Sequence, residues 1–147
     1  MIKKFRTQDT DAVIDVWYKA NKLAHPFLTE ETLKTVRAMV RDVYLPNTET
    51  WVYEHEGALI GFISLISSDP ADVEVGAIFL DPDHIGFGYG RALMDHAAGL
   101  YGSLKLDVFK ENHIGRGFYR RYGFKEVSEY PFEMTGDMVL KLVYRPA

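Results

Sequence analysis

The chain contains no cysteine, has 21 acidic against 17 basic residues and includes no long apolar run. The absence of cysteine excludes disulfides, thiolate metal sites and a cysteine nucleophile. A net charge of −4 argues against a nucleic-acid-binding protein, because contacts with nucleic-acid phosphates need a basic face. No apolar run approaches the roughly 18 residues that a membrane span requires, so we expect no membrane partner. The five histidines show no metal-ligand spacing, so we predict no metal site.

What is present indicates one globular domain over residues 1–147. Hydrophobic residues make up 47% of the chain and charged residues 26%, which are ordinary proportions for a globular protein. No repeat, low-complexity segment or linker interrupts the chain, so we predict no domain boundary. The first residues turn polar too early for a signal peptide. We therefore expect a cytoplasmic protein that is a monomer or a homodimer.

The apolar pattern predicts a mixed α/β fold with the element order β-α-α-β-β-β-α-β-α-β-β. A helical stripe begins near Val13 and ends at His25-Pro26, because proline disfavours helical dihedrals in the residue before it. Thr29 is a candidate N-cap for a second helix, whose apolar stripe extends to Val43. The segment His55-Glu56-Gly57 is typical of a hairpin turn. We expect a mixed sheet with helices packed against it.

The most informative stretch joins an apolar run, Val73–Leu80, to a Gly-x-Gly-x-Gly loop and then to a helical pattern. Gly86, Gly88 and Gly90 allow backbone N–H groups to converge at a helix N-terminus, which is a favourable site for phosphate groups. The alternative is a glycine-rich turn without a ligand. The spacing does not match the dinucleotide fingerprint, and no Gly-Lys-Ser/Thr follows as in a P-loop.

A second motif runs from Asn112 to Phe124 with the sequence Asn-His-Ile-Gly-Arg-Gly-Phe-Tyr-Arg-Arg-Tyr-Gly-Phe. Together with the strand and the glycine loop, it resembles the GNAT superfamily of N-acetyltransferases. The signature of that family is a strand, a loop of the type Arg/Gln-x-x-Gly-x-Gly, a helix and then Asn-x-x-Ala-x-x-Phe-Tyr-x-x-x-Gly-Phe. The element order resembles the family over essentially the whole chain. Two positions depart from the pattern, since Ile85 replaces the Arg or Gln and Gly115 replaces the Ala.

The resemblance implies the GNAT fold, a mostly antiparallel central sheet that splays at the cofactor strand and is flanked by about four helices. It also implies acetyl-CoA as a co-substrate. Asn112 matches the family position that touches the cofactor arm, and Ile85 is expected to weaken cofactor binding by removing one side-chain donor. The residues that the resemblance places at the pyrophosphate are Gly86, Phe87, Gly88, Tyr89, Gly90 and Arg91, and those beside the pantetheine arm are Ile78, Phe79 and Leu80.

The catalytic residues that the resemblance implies are Tyr119 and Glu74. Tyr119 matches the tyrosine beside the thioester sulfur, where a phenol with a pKa of about 10 donates a proton to the departing thiolate. The alternative is an aromatic core residue. Glu74 matches a strand glutamate that several members use as the base, while Asp107 lies where some members that acetylate protein N-termini carry a glutamate. Both are alternatively solvated strand charges, with bulk solvent accepting the proton.

The activity that the resemblance implies is direct transfer of an acetyl group to a primary amine. A protein lysine is the favoured acceptor, and a small amine is the alternative. A catalytically silent acyl-CoA-binding module is a further alternative, which Ile85 keeps open. We predict surface or packing roles for the histidines, with His25 held open because its loop joins the two helices that border the acceptor site in the family. The cluster Arg116, Arg120 and Arg121 is expected to be a solvated helix face or a contact of the CoA 3′-phosphate.

Overall fold

The structure is a computed structural model that describes residues 1–146 except for the side chain of Ser68. Its regular structure within these residues includes seven strands and four α-helices. The strands are β1 Ile2–Lys4, β2 Glu49–His55, β3 Ala58–Asp69, β4 Asp72–Leu80, β5 Leu104–Phe109, β6 Lys125–Pro131 and β7 Met138–Tyr144. The helices are α1 Thr10–Ala24, α2 Glu30–Met39, α3 Tyr89–Tyr101 and α4 His113–Tyr122.

The strands form one sheet in the order β1-β2-β3-β4-β5-β7-β6. Neighbouring strands are antiparallel except for β4 and β5, which run parallel. This arrangement follows from the connections, because α3 carries the chain from β4 back to the start of β5. The predicted fold class, a mixed α/β fold with a mostly antiparallel sheet, is confirmed.

The sheet opens between β4 and β5. The two strands pair only at Glu74 with Lys105 and at Val75 with Leu106. At the next residue, Gly76, the register between β3 and β4 shifts, which marks a β-bulge. A bulge bends the strand that carries it and increases the local twist. The backbone of β4 after the bulge therefore turns away from β5, and the predicted splay is present.

The core lies on both faces of the sheet. On one face, Leu93 and Met94 of α3 are fully buried against β3, β4 and β5. On the other face, Val13 and Trp17 of α1 pack with Leu33 of α2 against the strands. Helices thus cover the sheet on both sides, and the open edge of β4 lies between the two helical layers.

The first two helices meet at a short loop with well-defined ends. Helix α1 ends at Ala24, directly before His25-Pro26, as the sequence predicts. The Oγ1 atom of Thr29 accepts a hydrogen bond from the backbone N–H of Thr32 at 3.1 Å, which confirms the N-cap of α2. Beyond α2, a π-helical turn spans Val40–Tyr44 and leaves Val43 58% exposed. The expectation that the apolar stripe reaches Val43 is wrong, because a π-turn changes the rotation per residue and moves this side chain off the buried face.

Candidate active site

Two cavities meet near the open edge of β4. The first, here named the glycine-loop cavity, has a volume of about 400 Å³ and lies between the loop before α3, the end of β4 and helix α4. The second, here named the helix–sheet cavity, has a volume of about 260 Å³ and lies between α1, α2 and the sheet. Four residues line both cavities, namely Ile78, Phe79, Asn112 and Tyr119. A group bound at these four residues is therefore accessible from both cavities.

The glycine loop lies at the N-terminus of α3. Gly86 has φ +94° and Gly88, the N-cap of the helix, has φ +90°, a conformation that favours glycine. Neither glycine has a heavy atom within 4 Å of the position where a Cβ would lie, so the space above the loop is open. The first N–H groups of α3 have no partner within the helix, and the helix dipole favours an anion there. This open cradle of donors fits a phosphate group.

Not every predicted loop residue turns its side chain to the glycine-loop cavity. The Phe87 side chain is 70% exposed, and the Tyr89 ring packs against Tyr53 with 4.9 Å between the ring centroids. Neither residue is among those that line the cavity, so their predicted contact with the pyrophosphate would have to come from backbone N–H groups. Arg91 lines the cavity and lies over the ring of Tyr122, with 5.3 Å between the guanidinium carbon and the ring centroid.

The strand residues predicted for the cofactor arm lie where β4 has left β5. Ile78, Phe79 and Leu80 all line the glycine-loop cavity. They pair with β3 on one side, and the described pairing with β5 ends before them, at Val75. Their outward-facing N–H and C=O groups are therefore available to a ligand that binds as an added strand.

Tyr119 lies in α4 and is buried between the two cavities. Its ring packs against Phe118 and Phe124 at centroid distances of 5.5 and 5.7 Å. Burial raises the pKa of the Tyr119 phenol well above its usual value, because the low-polarity surroundings disfavour the phenolate. The hydroxyl thus stays protonated and retains a proton that it can donate.

The two candidate bases occupy different places. Glu74 is half-buried on β4 before the bulge and is not among the residues that line either cavity. Asp107 on β5 lines the helix–sheet cavity, and its Oδ2 atom accepts a hydrogen bond of 2.6 Å from the Tyr130 hydroxyl. Burial raises the pKa of Glu74, and the negative charge of Asp107 raises it further, whereas Lys105 opposes this effect. The structure therefore separates Glu74 from the junction at Tyr119 and places Asp107 on the cavity wall.

His25, the one histidine for which the sequence left a role at the acceptor site open, lies in the wall of the helix–sheet cavity. Its side chain is buried. The Nδ1 atom lies 2.7 Å from Asn21 Oδ1, and the Nε2 atom lies 3.2 Å from Asn112 Nδ2. Burial lowers the pKa of His25 to about 4, so the ring is neutral near pH 7. The four-residue spacing of Trp17 and Asn21 in α1 and of His25 at the C-cap of this helix is the sequence signal that points to this arrangement.

The three arginines of the basic cluster in α4 have different surroundings. Arg116 donates from Nη1 to the carbonyl oxygen of Lys110 at 2.8 Å and pairs through Nη2 with Glu126 at 3.2 Å. Arg121 lines the glycine-loop cavity, while Arg120 is exposed. Only Arg121 of the three thus faces the cavity that was predicted to bind the cofactor.

In residues 1–146, no three His, Asp or Glu side chains are grouped so that they could hold a metal ion. Over the same residues, no helix combines the length and the apolar character that crossing a membrane requires.

Comparison with known proteins identifies the family. Residues 46–126 match the model of the acetyltransferase (GNAT) domain. Peptidyl-lysine N-acetyltransferase YiaC of Escherichia coli K12 is 30% identical over 124 residues, which cover 84% of this chain and 82% of that protein. The solution structure of apo YjaB from Escherichia coli is 29% identical, has a TM-score of 0.86 and covers 100% of this chain and 98% of its own. The chain therefore belongs to the GNAT acetyltransferase family.

The fold agrees with more distant members as well. A PaiA N-acetyltransferase from Thermoplasma acidophilum, crystallised in complex with coenzyme A, is 19% identical and has a TM-score of 0.83 over 96% of both chains. The predictions of the GNAT family, of its fold and of an acetyl-CoA-dependent N-acetyltransferase are confirmed. The roles of individual residues stay predictions. The two cavities indicate which residues lie close enough to a bound donor or acceptor to have such a role.

Proposed function

We propose that residues 1–147 form a single domain that transfers an acetyl group directly from acetyl-CoA to the ε-amine of a protein lysine. The observation that carries this proposal is the junction of the two cavities at Ile78, Phe79, Asn112 and Tyr119. Direct transfer needs a donor and an acceptor that approach one reacting centre from different sides. The relative YiaC is named a peptidyl-lysine N-acetyltransferase, which supports lysine as the acceptor.

The glycine-loop cavity is the proposed site of the donor. Acetyl-CoA supplies the acetyl group as a thioester. The N–H groups of residues 86–91 would hold its pyrophosphate at the positive end of α3, and Arg91 adds a charge nearby. The open edge of β4 offers the backbone of residues 78–80 to the pantetheine arm. Asn112, which lines this cavity, would contribute its amide to the cofactor arm.

The helix–sheet cavity is the proposed site of the acceptor. Its walls include the aromatic residues Trp17, Phe109 and Phe132. Apolar and aromatic walls suit the four methylene groups of a lysine side chain, which lose contact with water when they enter the cavity. Asp107 on the wall adds a negative charge that attracts a cationic acceptor. A small amine with an apolar body would meet the same contacts and is the second candidate acceptor.

Two residues are proposed to handle the protons. Tyr119 would protonate the departing thiolate, because its buried hydroxyl lies at the junction of the cavities and stays protonated. Glu74 would accept the proton of the ammonium group. Since Glu74 lines neither cavity, this proton would reach it through water, and Asp107 is the alternative base because it lies on the wall itself.

The test of the proposed function is turnover with a panel of amines. The purified protein is incubated with acetyl-CoA and with lysine-containing peptides, free amino acids or polyamines, and thiol release and product mass are measured. We expect acetylation of lysine ε-amines and none of a matched peptide in which arginine replaces lysine. Faster turnover of a small amine than of every peptide would assign the second candidate. Binding of CoA without turnover of any amine would instead indicate an acyl-CoA-binding module.

A further inference from the structure

A chain of buried hydrogen bonds runs from α4 to α1 across the junction of the cavities. The backbone N–H of Gly115 donates to Asn112 Oδ1 at 2.9 Å. The next links are Asn112 Nδ2 to His25 Nε2 at 3.2 Å and His25 Nδ1 to Asn21 Oδ1 at 2.7 Å. Finally, Asn21 Nδ2 donates to the carbonyl oxygen of Trp17 at 2.9 Å. The three side chains between the two backbone groups are all buried.

Both ends of this chain are backbone groups with only one possible role. The Gly115 N–H can only donate, and the Trp17 carbonyl can only accept. Each amide in between must therefore be oriented in one way, and His25 must carry its proton on Nδ1 and accept at Nε2. Consecutive bonds that all point in one direction also polarise one another. The imidazole is thus the central link that determines which way the Asn112 amide faces.

We infer that His25 is a positioning residue for acetyl transfer: it fixes the amide of Asn112 and, through it, the first turn of the helix that carries Tyr119. This inference rests on the proposed function. Asn112 caps α4 and lies at the junction of the cavities, so a change in its orientation reaches the donor site and the helix together. Phe27 and Phe109 hold the His25 ring edge-on, at centroid distances of 5.7 and 5.0 Å. Packing and hydrogen bonds thus define one orientation of the ring.

The departure from the family pattern at Gly115 supports the same inference. A Cβ at this position would lie 2.6 Å from Asn112 Nδ2 and 3.0 Å from its Cγ. Alanine, the usual family residue, would therefore push the Asn112 amide out of the position in which it meets His25. In this protein, Gly115 leaves room for the amide of Asn112 in the position in which it contacts His25.

Two substitutions of His25 separate its two hydrogen bonds. The amide of glutamine reaches the place of the Nε2 atom, so His25→Gln can still accept from Asn112. The shorter asparagine reaches only the place of Nδ1, so His25→Asn keeps the bond to Asn21 and leaves the Asn112 amide without its partner. Both variants lose the same aromatic ring and one hydrogen bond each, and therefore the difference between them reports whether activity depends on the bond to Asn112 or on the bond to Asn21.

The experiment compares kcat/KM for acetyl-CoA across four variants. We expect His25→Asn and Gly115→Ala to lose about 10-fold or more, and His25→Gln to stay within about 3-fold of the native chain. Gly99→Ala, an exposed glycine of α3 with open space at its Cβ, is the control and should match the native chain. Equal activities of the Asn and Gln variants, at similar melting temperatures, would overturn the inference.

The tautomer of His25 is a readout that needs neither turnover nor a variant. Imidazole ¹⁵N shifts of the native protein should show a protonated Nδ1 and an unprotonated Nε2, and the reverse tautomer would overturn the inference. If no amine is acetylated, the proposed function fails on its own. In that case the affinity for CoA, measured by calorimetry, decides the matter: weaker binding in His25→Asn than in His25→Gln supports the positioning role, and equal binding refutes it.

Discussion

Tyr119 lines both cavities and His25 lines the helix–sheet cavity, and burial disfavours the charged form of each. For the tyrosine this keeps the proton on the hydroxyl, which suits a general acid. For the histidine it keeps the ring neutral, so that Nε2 can accept the hydrogen bond from Asn112. The same physical cause thus gives one residue a proton to donate and the other a lone pair to offer.

At Tyr119, the variant Tyr119→Phe keeps the ring and its packing but removes the proton that the leaving thiolate needs. We expect kcat to fall by about 10²-fold with little change in CoA affinity, which steady-state kinetics and calorimetry measure. Tyr144→Phe, which removes a hydroxyl from a tyrosine packed against Phe124, is the matched control. Near-native activity of Tyr119→Phe would show that solvent protonates the thiolate.

At Glu74, the variant Glu74→Gln removes a carboxylate whose pKa is raised by burial and by Asp107. We expect kcat/KM to fall most at low pH, where the amine is protonated and needs a base, and least at high pH, where free amine is abundant. The measurement is the pH profile with one amine, with Glu129→Gln, which loses an exposed partner of Lys110, as the control. A native profile in this variant, with an altered one in Asp107→Asn, would assign the base to Asp107.

At the scale of elements, β4 and α3 together form the donor site. The bulge at Gly76 turns β4 away from β5, and the loop after β4 delivers the chain to the N-terminus of α3. The strand thus contributes unpaired backbone groups, and the helix contributes its first N–H groups and its dipole. Two elements that are consecutive in the chain therefore provide most of the proposed contacts with CoA.

Two substitutions test the glycine loop as the phosphate site. One is expected to abolish CoA binding and the other to strengthen it. Gly88→Glu places bulk and negative charge where the phosphates are proposed to bind, so acetyl-CoA should no longer raise the melting temperature. Ile85→Arg restores the donor typical of the family on the cavity wall and should tighten CoA binding by roughly 0.5–1.5 kcal/mol in calorimetry. The control for Gly88→Glu is Gly136→Glu, because Gly136 also has a positive φ, of +80°, and the substitution causes a similar backbone strain there. A native thermal shift in Gly88→Glu would place the pyrophosphate elsewhere.

At the scale of the whole molecule, the two helical layers are joined at the junction of the cavities. Helix α1 covers one face of the sheet and α4 packs with the core of the other face. The hydrogen bonds through His25 connect them where the sheet is open. The stability of the fold and the geometry of the site therefore depend on the same neutral histidine.

This dependence predicts a loss of stability in acid. His25 titrates near pH 6.5 in the unfolded chain and near 4 in the folded protein, so between these values the unfolded state binds a proton that the folded state excludes. The free energy of unfolding should fall by about 3 kcal/mol as the pH drops from above 6.5 to 4, and the contribution of His25 should level off about one pH unit above 6.5. Urea unfolding across this range measures the effect.

The matched variants for this prediction are His25→Gln and His113→Gln. The first removes the buried titrating group, so its stability should fall less steeply between pH 6.5 and 4. The second removes an exposed histidine at the start of α4 and should keep the native dependence. The same slope in all three proteins would mean that His25 takes up its proton in the folded state as readily as in the unfolded one.

The sequence by itself determined the features that depend on neighbours along the chain. The helix stop at His25-Pro26, the cap at Thr29 and the loop at Gly86–Gly90 each arise within a few residues, where backbone sterics and local hydrogen bonds decide the conformation. The order of elements follows from apolar periodicity and led to the correct fold class, whereas the family was identified from the resemblance of the glycine loop and of the motif from Asn112 to Phe124.

Only the tertiary structure decided which distant residues share a site. Glu74 lies before the bulge, where β4 still pairs with β5, and it lines neither cavity, which periodicity does not report. The exposure of Val43 follows from a π-turn for which the sequence carries no local signal. The contact of His25 with Asn112 joins residues 87 positions apart, so neither the sequence around His25 nor the sequence around Asn112 predicts it. Burial, which sets the charge of His25 and Tyr119, exists only once both helical layers have packed against the sheet.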